Sequence, residues 1–137
     1  MKYGKINIAA GFLFLAAFMA YGFLLIYLRD FAPNKEQWIA EYTIGTHFEA
    51  RLAHVHGNLF ALLNVLVGYL LLKLPVAPGA AKGVSWLTLG GMLMPLGIVA
   101  EIVLAAPPIF VLVGAISMVV AMAWLGVSVL RMRTEQA

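Results

Sequence analysis

The 137-residue chain contains no cysteine, which excludes disulfides and any metal site built on thiolates. Charge is almost as scarce. Lysine, arginine, aspartate and glutamate together supply 11% of the residues, where a soluble domain carries roughly a quarter. Histidine occurs three times. What fills the sequence instead is apolar: 64% of positions, against roughly 45–50% in a soluble fold. A chain this short cannot hide that much apolar surface from water, so lipid must cover much of it. The net charge of +3 does not point to nucleic acid, because the basic residues fall at the ends of apolar runs rather than in a patch.

Four apolar runs stand out, at 6–28, 52–72, 84–105 and 109–130. Each approaches the roughly 20 residues that a helix needs to cross a hydrocarbon core about 30 Å thick. The expected fold is all-α, a single four-transmembrane-helix up-down bundle over residues 1–137, with helices over about 6–28, 44–73, 83–105 and 108–131. Lys2 and Lys5 resemble the basic start of a signal peptide. The apolar run after them exceeds the roughly 7–15 residues of a signal core, however, and reads as a retained helix.

Lysine and arginine set the orientation. Lys2, Lys5, Lys73, Lys82, Arg131 and Arg133 lie on one side, while Arg29, Lys35 and Arg51 lie on the other, mixed with Asp30, Glu36, Glu41 and Glu49. The richer side is expected to be cytoplasmic, with both termini there, in a bacterial inner membrane. The one long connection, 29–51, then lies outside. Pro33 and Asn34 punctuate it, and Trp38, Ile39, Tyr42 and Phe48 suit the membrane interface. The second membrane helix is expected to start before residue 52. Pro95 predicts a kink in the third span, and glycines 11, 22, 90, 91 and 97 read as close-packing positions.

Ionisable groups at membrane depth are costly and are functional candidates by default. Those present are His54 and His56 in the second span and Glu101 in the third, joined by the amides Asn58, Asn64 and Asn7. At about 100° per residue, His47, Arg51, His54 and Asn58 form one polar stripe that runs from the outer surface into the bilayer. His56 lies about 200° around from His54, so the two cannot grip one metal ion together. They can serve two different neighbours. Glu101, Tyr21 and Tyr27 fall near the same depth, and a polar site in the outer half of the bundle is the economical reading. Glu101 also lies close enough to the outer end to reach water, Arg51 alone would serve as an interface anchor, and Asn64 reads as interhelical glue.

The histidine geometry argues against a structural zinc. A haem needs one or two axial ligands, an apolar pocket, and cationic or hydrogen-bonding partners for its propionates. His54 would be the ligand, Arg51 and His47 would meet the propionates, and Gly57 would let a flat macrocycle approach. A small proton or metal transporter using His54, His56 and Glu101 is the alternative.

The segment Ala53-His54-Val55-His56-Gly57-Asn58-Leu59-Phe60 resembles two known groups. His-Gly followed by apolar and aromatic residues resembles the haem-ligating second helix of haem-copper oxidase subunit I, and Ala-His-x-His-x-Asn resembles short four-span proteins that look like fragments of it. Arg, Ala-His and a nearby Gly after a Trp-containing loop also resemble styrene oxide isomerase, a small four-helix trimer whose ferric haem b opens an epoxide as a Lewis acid. The resemblance implies haem b, an isomerase-like activity on a small lipophilic substrate, and a homo-oligomer, perhaps trimeric. A non-catalytic cytochrome or accessory subunit of a respiratory complex is the other function it implies. The axial ligand would be His54 by the polar stripe or His56 by the His-Gly pair. An asparagine six residues after the ligand in the isomerase falls on Phe60 or Leu62 here, and the oxidase's copper-binding histidines have no counterpart.

Overall fold

The structure, a computed structural model, describes residues 2–132. Arg133, counted above among the basic residues of one side, lies outside them. Six helices follow in order: α1 (Lys2–Asp30), α2 (Lys35–Ala40), α3 (Thr46–Lys73), α4 (Pro78–Gly90), α5 (Leu93–Leu104) and α6 (Ile109–Leu130). α4 and α5 together make one span, Pro78–Leu104, so four spans are long and apolar enough to cross a membrane. The chain is an all-α four-helix bundle of an integral membrane protein. α1 lies along α3, α3 along α5, and α6 packs on α4 and α5. The short α2 folds back over the ends of α1 and α3.

Small residues let α1 and α3 touch backbone to backbone, as membrane helices require when no hydrophobic force drives them together. A Cβ on Gly4 would sit 2.5 Å from the Gly68 carbonyl oxygen, and one on Gly11 2.8 Å from that of Ala61. Farther along, the ring of Phe18 fills the space left by Gly57. At the last rung the order changes: Gly22 of α1 makes room for the imidazole of His54. The antiparallel register is thus fixed by the time the chain reaches the polar stripe.

The third span breaks at Gly91–Met92 because Pro95 carries no N–H for the Gly91 carbonyl. Met94 N–H takes that carbonyl at 3.0 Å instead, and Met92 N–H turns to Leu89 at 3.0 Å, tightening the chain to three-residue turns. The break therefore falls one turn upstream of the proline itself. A buried polar knot braces it. Asn7 Nδ2 donates to Asn64 Oδ1 at 3.0 Å and to the Ser85 carbonyl at 3.1 Å. Asn64 Nδ2 donates to the carbonyls of Phe60 at 3.0 Å and Thr88 at 3.1 Å, and the Ser85 hydroxyl donates to Asn7 Oδ1. The side chains of Asn7, Asn64 and Ser85 are fully buried and partnered, and Asn64 ties α1, α3 and α4 together. α5 ends on Ala105, whose φ of 50° is left-handed. Its N–H and that of Ala106 return to the carbonyls of Glu101 at 3.1 Å and Ala100 at 3.3 Å, and Pro107 and Pro108 then forbid continuation.

Candidate functional site

At the α2 end of the α1–α3 pair, the two helices enclose a groove of about 900 Å³, within the 300–1,000 Å³ typical of small-molecule and cofactor sites. Its floor is Met19, Gly22, Phe23, Leu25 and Ile26 of α1, and its opposite wall is His47, Arg51, His54 and Asn58 of α3. Arg29 and Asp30 flank the mouth with Ile39 and Tyr42 of the α2 segment. The whole stripe anticipated on the second span thus opens onto one cavity, as its 3.6-residue period requires.

The stripe divides into a structural upper half and an open lower half. His47 is buried: its ring stacks on Trp38 with centroids 4.5 Å apart and meets the edge of Tyr42 at 5.4 Å. Its Nδ1 lies 2.6 Å from the Trp38 carbonyl, and since a carbonyl only accepts, Nδ1 is the protonated nitrogen. Arg51 donates to the Tyr42 carbonyl at 3.1 Å and lies 3.7 Å above the Tyr42 ring. Both side chains therefore latch the α2 segment over the groove. His47 borders the cavity as well, with only its Nδ1 engaged. Arg51 borders it too. Arg29 is held at the mouth in a two-pronged pair with Asp30, at 2.8 and 2.7 Å.

His54 lies deeper. Among the described residues no side-chain or backbone group hydrogen-bonds its imidazole, whose Nε2 would lie 2.8 Å from a Cβ placed on Gly22. Tyr21 stands beside it, ring centroids 6.1 Å apart. Asn58, one turn below, donates its amide to the His54 carbonyl at 2.9 Å.

The remaining candidates lie elsewhere. His56 is on the far side of α3, its Nδ1 donating to the Leu52 carbonyl at 2.9 Å and its ring edge-on to Phe60. Gly57 does not open onto the groove, because Phe18 occupies the space where a flat ligand was expected. Glu101 on α5 has one buried carboxyl oxygen, Oε1, without a hydrogen-bond partner, and neither His54 nor His56 forms an ion pair with it. Among the described residues no three His, Asp or Glu side chains gather into a group that could hold a metal ion.

Gly22, Tyr42, Arg29 and Asp30 also belong to the groove, yet the sequence marks them only as a packing glycine, an interface aromatic and loop charges. Their part depends on which residue of α1 faces which residue of α3. The chain matches no family model, no protein of curated function and no solved structure, so what the groove does must be read from its own residues.

Proposed function

We propose that this is a haem-b-binding integral membrane protein of isomerase type, with the α1–α3 groove as the haem site and a small lipophilic molecule as substrate. The observation that carries the reading is His54: an imidazole without a hydrogen-bond partner, in the wall of a largely apolar cavity of about 900 Å³. The groove carries the donor types the group needs, and His54 Nε2, which packs against Gly22, would have to turn from it to meet an iron. His54 would hold the iron, Arg51 and Arg29 at the mouth would meet the propionates, and Met19, Phe23 and Ile26 would cover the apolar faces. Bound there, ferric haem b would supply a Lewis acid able to polarise the oxygen of a small epoxide. The chain's own part is to orient and exclude: Gly22 leaves room for the imidazole, and the Trp38–His47 stack and the Arg51–Tyr42 contact close the upper wall against water.

One observation favours His56 as the ligand instead. Its Nδ1–H is committed to the Leu52 carbonyl, which leaves Nε2 bare, the arrangement in which metal-bound histidines are commonly fixed. Haem held there would lie outside the groove, against another protomer. Single replacements separate the two: His54→Ala should abolish or strongly shift the Soret band while His56→Ala leaves it nearly intact. The reverse result would move the site to His56, and a purified protein without haem absorbance after haem-supplemented expression would defeat the proposal. Turnover of a small epoxide distinguishes the enzyme from a non-catalytic cytochrome or respiratory accessory subunit.

The same proposal includes a homo-oligomer, most simply a trimer, and cytoplasmic termini in a bacterial inner membrane. α1 leaves most of its surface uncovered within the bundle, and Lys5, Lys73, Lys82 and Arg131 mark the end opposite α2. A monomeric mass in native detergent, or a periplasmic reporter signal at residue 80, would overturn these two parts respectively.

A further inference from the structure

A cavity of about 490 Å³ lies at the end of the bundle opposite α2, between the α3–α4 connection and the last turns of α6. Val76, Ala77 and Ala80 form one wall, and Trp124, Ser128 and Arg131 form the other. Among the described residues Arg131 is the only charged one that borders it. The Ser128 hydroxyl already donates to the Trp124 carbonyl at 2.8 Å, which leaves the exposed guanidinium as the charged donor of the site. Trp124 is wedged in place, its ring filling the space that Gly83 of α4 leaves open.

Charge and shape together identify what fits there. Lys5, Lys73 and Lys82 share this end of the bundle with Arg131, and all four are exposed. The carboxylates of the described residues, Asp30, Glu36, Glu41, Glu49 and Glu101, all belong to the opposite half. Beside the cavity runs an apolar strip. Val120, Trp124, Val127 and Arg131 follow the spacing i, i+4, i+7, i+11 and so share one narrow face of α6. The three apolar members are each between 41% and 45% exposed. At 1.5 Å per residue the strip is about 17 Å long, close to half of a hydrocarbon core about 30 Å thick. A cation at the end of an apolar strip one leaflet deep matches an anion that carries a hydrocarbon chain.

We infer that this cavity binds the phosphate of an anionic glycerophospholipid, with Arg131 donating to the phosphate oxygens and one acyl chain lying along Val127, Trp124 and Val120. The guanidinium fork suits two oxygens of one phosphate better than a point charge does. The surplus of cations selects phosphatidylglycerol over phosphatidylethanolamine, whose ammonium would enter a positive field with no carboxylate beside it. The site lies at the other end of the bundle from the haem-site groove, and its occupancy does not depend on haem.

The test titrates the full chain, delipidated in detergent, with dioleoyl phosphatidylglycerol or dioleoyl phosphatidylethanolamine and counts bound lipid by native mass spectrometry. Phosphatidylglycerol should bind saturably and about fivefold or more tightly than phosphatidylethanolamine. Arg131→Gln should weaken phosphatidylglycerol by about tenfold or more, and Arg131→Lys, which keeps the charge and loses the fork, should fall between. Lys5→Gln removes a charge from the same end but outside the cavity and should cost about threefold or less. Ala80→Phe keeps every charge and fills the cavity, so it should weaken binding as much as Arg131→Gln does. Free sn-glycerol 1-phosphate, which cannot use the apolar strip, should bind about a hundredfold more weakly. Equal binding of the two lipids, equal losses for Arg131→Gln and Lys5→Gln, indifference to Ala80→Phe, or free glycerol phosphate binding as tightly as the lipid would each overturn the inference.

Discussion

Replacing Asn64 by leucine removes the centre of the polar knot while keeping the number and branching of its side-chain heavy atoms, so no cavity is opened. Two interhelical bonds disappear, to Asn7 and to the Thr88 carbonyl. Interhelical hydrogen bonds in membranes average about 0.6 kcal/mol and reach about 1.7 kcal/mol, so the pair contributes about 1–3 kcal/mol. Asn7 keeps its bonds to the Ser85 carbonyl and hydroxyl, which limits its share of the loss. The Thr88 carbonyl fares worse. The helix break turns Met92 N–H toward Leu89, so without Asn64 this buried acceptor is left unpaired at a further cost of about 1 kcal/mol or more. Asn64→Leu should therefore destabilise the bundle by about 2–4 kcal/mol, measured as an unfolding equilibrium in bicelles. With Asn7→Leu as the second variant, the double-mutant cycle should give a coupling above about 0.5 kcal/mol. A loss below about 0.5 kcal/mol for Asn64→Leu, with additive behaviour of the pair, would refute the view that the knot braces the broken span.

Gly22→Ala places a methyl group 2.8 Å from His54 Nε2, a contact too close to keep, so haem retention or the Soret position should change. Gly126→Ala, where a Cβ meets nothing within 4 Å, is the control and should leave the spectrum alone. Arg51→Ala removes both the bond to the Tyr42 carbonyl and the contact over its ring; amide exchange across 38–45 should speed up by about tenfold, and unchanged exchange would separate Arg51 from the latch. Ala105→Gly relieves a left-handed residue and should stabilise the protein by about 1 kcal/mol in the same bicelle assay.

The spans and the polar stripe were legible in the sequence because both are periodic properties of a single helix. Apolar runs long enough for a bilayer announce the helices, and 3.6-residue spacing alone puts His47, Arg51, His54 and Asn58 on one face. What each of those side chains touches is a property of pairs of helices. Gly57 and Gly22 look alike in the sequence, yet one receives Phe18 and the other His54, and only the α1–α3 register decides between them. His47 could be placed on the stripe but not in the grip of Trp38, since that contact depends on how α2 folds back. Pro95 foretold a bend, but its position upstream at Gly91–Met92 follows from which carbonyl the proline leaves without a donor.

The uneven length of the helices shapes the surroundings of the groove. α6 has 22 residues and is about 33 Å long, close to the hydrocarbon thickness, whereas α3 has 28 and is about 42 Å long. Gly97 meeting Val111 sets the start of α6 alongside the middle of α5 rather than its end, so the shortfall is at the α2 end. The molecule therefore has a step in its profile there. Lipids beside α6 meet a helix of about their own hydrocarbon height, while α1 and α3 rise beyond it. In a thicker bilayer the headgroups would rise toward Arg29 and Tyr42 and cover the groove mouth; in a thinner one the mouth would stand clear in water. Membrane thickness would then set whether the approach to His54 runs through headgroups or through water.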